Sequence, residues 1–166
     1  LLHKKILTKE NCCVIIYRQS LKSVKYMNAF MSAALEEAKK AFEMGEIPVG
    51  AIVVFEGQII AKAHNLKESL QSPTAHAEIL AINKAADFLK SWRLDKCDLY
   101  VTLEPCPMCA GAILESRIRR LYFGAFDPRL GAAGSFINLL KGCEIYAGIS
   151  EVECSLILKE FFDKKR

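Results

Sequence analysis

Asp98-Leu99-Tyr100-Val101-Thr102-Leu103-Glu104-Pro105-Cys106-Pro107-Met108-Cys109 is an apolar, β-branched and aromatic run that breaks at a proline pair and resumes with helix-forming residues. The first six residues predict a buried strand. Cys106 falls where a helix cap belongs, and Pro107 takes the first helical position, where a missing N–H costs nothing. A strand handed to a helix across so short a turn is the unit of an α/β fold.

Working outward, Pro73-Thr74-Ala75-His76-Ala77-Glu78 opens a second helix over 76–92, with Ile79, Leu80, Ile82, Ala86 and Leu89 on a helical period. Before it, Phe30, Ala34, Leu35, Ala38, Ala41 and Phe42 recur at spacings of three and four, so 29–44 is predicted to be an amphipathic helix stopped near Gly45. Strands 49–55 and 58–63 flank a Glu56-Gly57 turn as a β-hairpin, and 65–73 is a polar loop. Downstream come a strand at 120–125, a glycine-rich loop at 127–135, a strand at 143–147 and a helix at 151–164. Helices interleaved with buried strands predict an α/β sandwich around a sheet of about five strands.

The 166 residues, 52% hydrophobic and 25% charged, suit one globular core. No apolar run approaches the ~20 residues that span a bilayer, so no membrane segment is expected. Seven cysteines, unevenly spaced, argue against a disulfide framework and for a reducing cytosol. Charge is uneven: residues 1–26 hold six Lys and Arg against one acid, whereas 27–166 hold 17 against 18. The first segment is read as a basic leader outside the fold, of targeting, upstream or cloning origin, and the domain is expected to run over 27–166. The expected compartment is the cytoplasm, or an organelle if the leader is a targeting segment.

The Cys106-x-x-Cys109 spacing places two sulfurs at one helix N-terminus, whose partial positive charge favours thiolates. His76 offers a third ligand, which makes His76, Cys106 and Cys109 a candidate Zn²⁺ site, one per chain. Three protein ligands leave the open position of a catalytic zinc. Glu78, tethered two residues from His76, is the candidate proton carrier. On its own the Cys-x-x-Cys motif fits a redox module equally well, and a structural zinc would need a fourth ligand from Cys97, Cys143, Cys154 or His64. The His-x-Glu pair favours hydrolytic deamination. The three other cysteines read as buried small residues and His64 as structural.

With these motifs placed, the sequence resembles the cytidine deaminase-like superfamily, whose zinc nucleobase deaminases carry the H-x-E and P-C-x-x-C signature. It is most similar there to bacterial tRNA-specific adenosine deaminases. The blocks that carry the likeness over 27–166 are Ile47-Pro48-Val49-Gly50-Ala51, His64-Asn65, 73–79, 102–112 and Asp127-Pro128-Arg129-Leu130-Gly131-Ala132-Ala133-Gly134-Ser135. The last of them points to tRNA. The resemblance implies a three-layer α/β/α sandwich on a mixed sheet, zinc on His76, Cys106 and Cys109, and Glu78 as proton shuttle. It further implies Asn65 hydrogen-bonded to a flipped-out base and Asp127 at the RNA-facing rim. The tail Phe161, Phe162, Lys164, Lys165 and Arg166 would stack on bases and contact phosphates, although Asp163 stands where the family often has a basic residue. A homodimer is implied, with the wobble adenosine of an arginine tRNA as substrate. A small-molecule guanine, cytidine or deoxycytidylate deaminase would use the same zinc site without the 127–135 block or the tail.

Overall fold

The computed structural model describes residues 6–8, 12–14 and 21–165, with side chains from Met27 to Lys165. In chain order the elements are β1 (Ile6–Thr8), β2 (Cys12–Val14), α1 (Leu21–Glu43), β3 (Gly50–Phe55), β4 (Gln58–His64), α2 (Ala77–Leu89), β5 (Cys97–Leu103), α3 (Pro107–Glu115), β6 (Arg120–Ala125), β7 (Glu144–Tyr146) and α4 (Glu151–Lys164). They form one mixed sheet in the order β1-β2-β7-β6-β5-β3-β4. Its centre is the expected five strands, with β5, β6 and β7 parallel and β3 antiparallel to both β4 and β5. The two three-residue strands of the leader extend the β7 edge, β2 through Val14 opposite Ile145.

Two boundaries differ from the sequence reading. Helix α1 begins at Leu21, because nothing between Leu21 and Asn28 breaks a helix, so the expected boundary at Met27 falls inside it. Helix α2 stops at Leu89, where Lys90 turns left-handed (φ 52°) and returns its N–H to the Ala86 and Asp87 carbonyls.

The strands alternate their faces. Ala51 and Val53 join Leu99, Val101, Leu121 and Phe123 under α2 and α3, which contribute Ala81, Ile82, Ala85, Ala110 and Ile113. Ile52 and Val54 face the other way and pack with Met31 and Ala34 of α1 and Cys154 of α4. On that second face Tyr100, Tyr122 and Tyr146 stand in register across the three parallel strands and stack at 4.3 and 4.4 Å between centroids. Such a ladder fixes register, since a one-residue slip would throw every tyrosine to the opposite face. Gly50 marks the closest approach of helix to sheet: a Cβ there would overlap the Ala34 carbonyl of α1. The result is the α/β/α sandwich.

Parallel strands β5 and β6 end on the same side of the sheet. They deliver residues 104–106 and 126–131 to that edge, where α2 and α3 also begin. No helix among the described residues is long and apolar enough to cross a membrane.

Candidate active site

His76 and Cys106 are the N-caps of α2 and α3, both in extended conformation (φ −75°, ψ 150° and φ −73°, ψ 171°), and neither makes a side-chain cap hydrogen bond. Their side chains turn instead toward each other. Cys106 Sγ lies 3.7 Å from His76 Nδ1, and Cys109 Sγ lies 3.6 Å from the same nitrogen. Ligands about 2.3 Å (thiolate) and 2.0 Å (imidazole) from one tetrahedral zinc stand roughly 3.5–3.8 Å apart, so these side chains fit a zinc without rearrangement. All three ligand atoms lie within 4.8 Å of one another, and they are the one such His/Cys/Asp/Glu group among the described residues.

Of the three ligands, Cys106 is the one held ready as an anion. A hydrogen bond from Cys109, followed by one from His76, holds the Cys106 thiol down at about 4 against the opposing effect of burial. The Cys106–Cys109 bond also pushes Cys109 up, and the separate Cys106–His76 bond raises His76. Glu78, only 4% exposed, lies in the first turn of α2. Burial lifts its carboxyl above the usual range, opposed by its own N–H and by His76. A carboxyl so placed can hold a proton and pass it on.

The corner opens on a cavity of about 430 Å³ whose lining includes Asn65 and Lys67, Glu104, Phe126, Asp127, Arg129 and Leu130, and Phe162 of α4. Two stretches of that lining hang on buried carboxylates. Glu46 receives Asn65 Nδ2 at 3.1 Å and the N–H groups of Glu68 (3.3 Å) and Ser69 (2.6 Å). Glu104, 2% exposed, accepts the N–H groups of Asp127 (3.1 Å), Ala133 (3.0 Å) and Ser135 (3.0 Å), and the Ser135 hydroxyl. Gly131 is required under it, since a Cβ would overlap the Glu104 carboxylate. The 127–135 block is thus a loop wound around one acid.

Asn65 is buried and lines the cavity. Asp127 also lines the cavity, but its Oδ1 accepts the N–H groups of Arg129 and Leu130 at 3.0 and 3.2 Å, so that oxygen shapes the loop. The tail needs correction. Phe161 is 4% exposed and packs edge-on against Phe42 of α1 at 5.8 Å, so it cannot stack on a base, whereas Phe162 is 44% exposed and faces the cavity. Lys164 pairs with Glu160 at 2.8 Å. Lys165 reaches back to the Gly45 carbonyl at 3.1 Å, over the Phe161 ring. Arg166 lies outside the described residues. His64 is structural, its Nδ1 2.8 Å from Glu37 Oε2; Cys97 and Cys154 are fully buried, whereas Cys143, expected to be buried, is only half-buried.

Sequence reasoning missed Glu46, Glu104, Lys67 and Arg129. The two glutamates left a trace, since a single acid inside an otherwise apolar or proline-bounded run demands an internal partner.

The MafB19-like deaminase family profile matches residues 25–166. Over 143 residues the chain is 50% identical to the tRNA-specific adenosine deaminase of Bacillus subtilis (strain 168), an alignment covering 82% of this chain and 89% of that protein. A solved structure from work on A-to-I editing by tRNA:A34 deaminases at the wobble position of transfer RNA superposes with a TM-score of 0.74 at 46% identity, covering 78% of this chain and 99% of its own. A guanine deaminase from Nitrosomonas europaea shares the fold at a TM-score of 0.72 and 26% identity, covering 81% and 83%.

Proposed function

The chain belongs to the MafB19-like deaminase family and stands among the tRNA-specific adenosine deaminases, and from this premise we propose that it hydrolyses the wobble adenosine of a tRNA anticodon loop to inosine. An arginine tRNA is the proposed substrate. The observation that carries the reading is the meeting of His76, Cys106 and Cys109, beside a cavity that His76, Cys106 and the buried Glu78 line.

One Zn²⁺ per chain is assigned to His76 Nδ1 and the two sulfurs; when bound, it supplies the Lewis acidity that brings water near neutrality into a nucleophilic state. Glu78 takes the proton of the attacking water as its oxygen bonds to C6 of the base. The carboxyl delivers that proton to ring N1, then takes the proton left on the new C6 hydroxyl and hands it to N6, so that C6 keeps a carbonyl and the C6–N6 bond breaks with ammonia leaving. Water adds one oxygen, ammonia carries off the nitrogen, and Glu78 ends as it began. Asn65 holds the base edge.

An anticodon loop suits such a cavity because its bases splay out at little cost. Lys67 and Arg129 put cations at the cavity, where phosphates pass, and Phe126 and Phe162 offer rings to neighbouring bases. Exposed Phe136, Ile137 and Leu139 follow directly on the Glu104-held loop, and a homodimer covering them is proposed. A reducing cytosol is the proposed compartment, where the thiolates of Cys106 and Cys109 stay available to the metal.

The test is metal content beside turnover. Cys106→Ala and Cys109→Ala are expected to lose zinc and activity together, while Glu78→Gln keeps zinc and loses turnover. Full turnover in Glu78→Gln would overturn the mechanism.

A further inference from the structure

Glu46 lies between α1 and β3, one residue past Gly45 (φ 77°), and its N–H closes α1 on the Ala41 carbonyl at 2.9 Å. It is 1% exposed, and no step of the proposed chemistry uses it. Burying a carboxylate is costly unless it has donors. The donors it has are the Ser69 and Glu68 N–H groups and Asn65 Nδ2. Burial alone would raise Glu46; the Ser69 hydrogen bonds, then that of Glu68, hold it below the usual carboxylate range.

An ionised carboxylate only accepts, so whatever faces it must donate. The two ends of an asparagine amide are nearly isosteric, and the partner alone decides which end is which. We propose that Glu46 is a positioning residue: by taking one Nδ2 hydrogen of Asn65 it fixes the amide the right way round, presenting Oδ1 and the second Nδ2 hydrogen to the substrate base. The two backbone donors hold the carboxylate in place, so it cannot follow the amide if Asn65 turns. A purine bearing a 6-amino group offers a donor beside a ring-nitrogen acceptor, which such an edge matches; an amide turned over would meet donor with donor. Glu46 thus acts on base selection without touching the base. This rests on the reading of Asn65 as the residue that binds the base.

The experiment is a double-mutant cycle on the full chain, E46Q, N65A and E46Q/N65A, with kcat and KM on an anticodon stem-loop RNA, zinc content and melting temperature. A bidentate amide–base pairing is worth about tenfold or more, so N65A should lose that much in kcat/KM. E46Q, which can donate as well as accept, should lose a comparable amount, mainly through KM, with zinc retained. In the N65A background E46Q should add less than about twofold, as for two residues acting through one interaction. Additive losses, or native kcat/KM in E46Q, would overturn the positioning role. Native kcat/KM in N65A would remove its premise and the assigned role of Asn65 with it. Should E46Q lose its fold, E46Q/N65D keeps the buried bond with donor and acceptor exchanged. That chain should fold and bind zinc yet turn over poorly, and native turnover in it would contradict the proposal.

Discussion

At the metal corner, three side chains from residues 76 to 109 converge because short turns hand them to the first positions of two helices. At α4, two adjacent phenylalanines part company: Phe161 enters the core against Phe42, and Phe162 faces the cavity. The corner is dictated by neighbours in sequence. The tail is dictated by the phase of a helix against a partner more than a hundred residues away. Chemistry written in short-range geometry survives translation into structure, whereas chemistry inferred from residue type alone is sorted afterwards by packing.

Substitutions on the two regions should break differently. The largest effect belongs to the corner: Glu78→Gln removes the proton carrier and should lower turnover by about 10²–10⁴-fold at unchanged melting temperature, read by inosine formation beside a thermal melt. A smaller but still severe effect is expected from Phe161→Ala, costing about 3–5 kcal/mol of stability by chemical denaturation, since a buried ring leaves a cavity. Phe162→Ala should spare stability and weaken stem-loop binding by roughly tenfold, as for the removal of one stacking ring. If the two phenylalanine variants behaved alike, the division of α4 into core and cavity faces would be wrong.

Weaker effects should follow at the end of the tail. A cation that neutralises one phosphate of a single-stranded RNA steepens the salt dependence of binding by roughly 0.7, and its removal flattens the slope by the same amount. Lys164 and Lys165 are already engaged by Glu160 and the Gly45 carbonyl, so Lys164→Ala and Lys165→Ala should flatten it by less than that. Affinity measured across salt concentrations decides it. Smallest of all, removal of residues 1–26 should leave zinc content and turnover nearly unchanged, because the zinc ligands, Glu78 and both buried glutamates lie beyond it. Loss of either would make the first turns of α1 and the edge strands part of the working fold.

The legibility of the sequence follows the same division. The five central strands and most of α2, α3 and α4 were readable from periodicity, and the corner from cap positions and spacing. The start of α1 was not, although Leu21, Val24 and Met27 continue the period of Phe30 and Ala34, because Lys22 and Lys25 group the stretch with the basic leader. Glu46 and Glu104 left the trace of acids in need of partners, but which segments they anchor was not legible, since their donors are backbone N–H groups far along the chain: Ser69 for one, Ala133 and Ser135 for the other. Backbone donors have no residue type to notice.

The central claim, that this zinc-fitted cavity serves an adenosine presented in an anticodon loop, is tested most directly by offering the zinc-loaded chain an anticodon stem-loop alongside free adenosine, guanine and cytidine, and quantifying the deaminated products. The account predicts inosine at the wobble position of the stem-loop and no comparable turnover of the free compounds. Deamination of guanine or cytidine with the stem-loop left intact would contradict it.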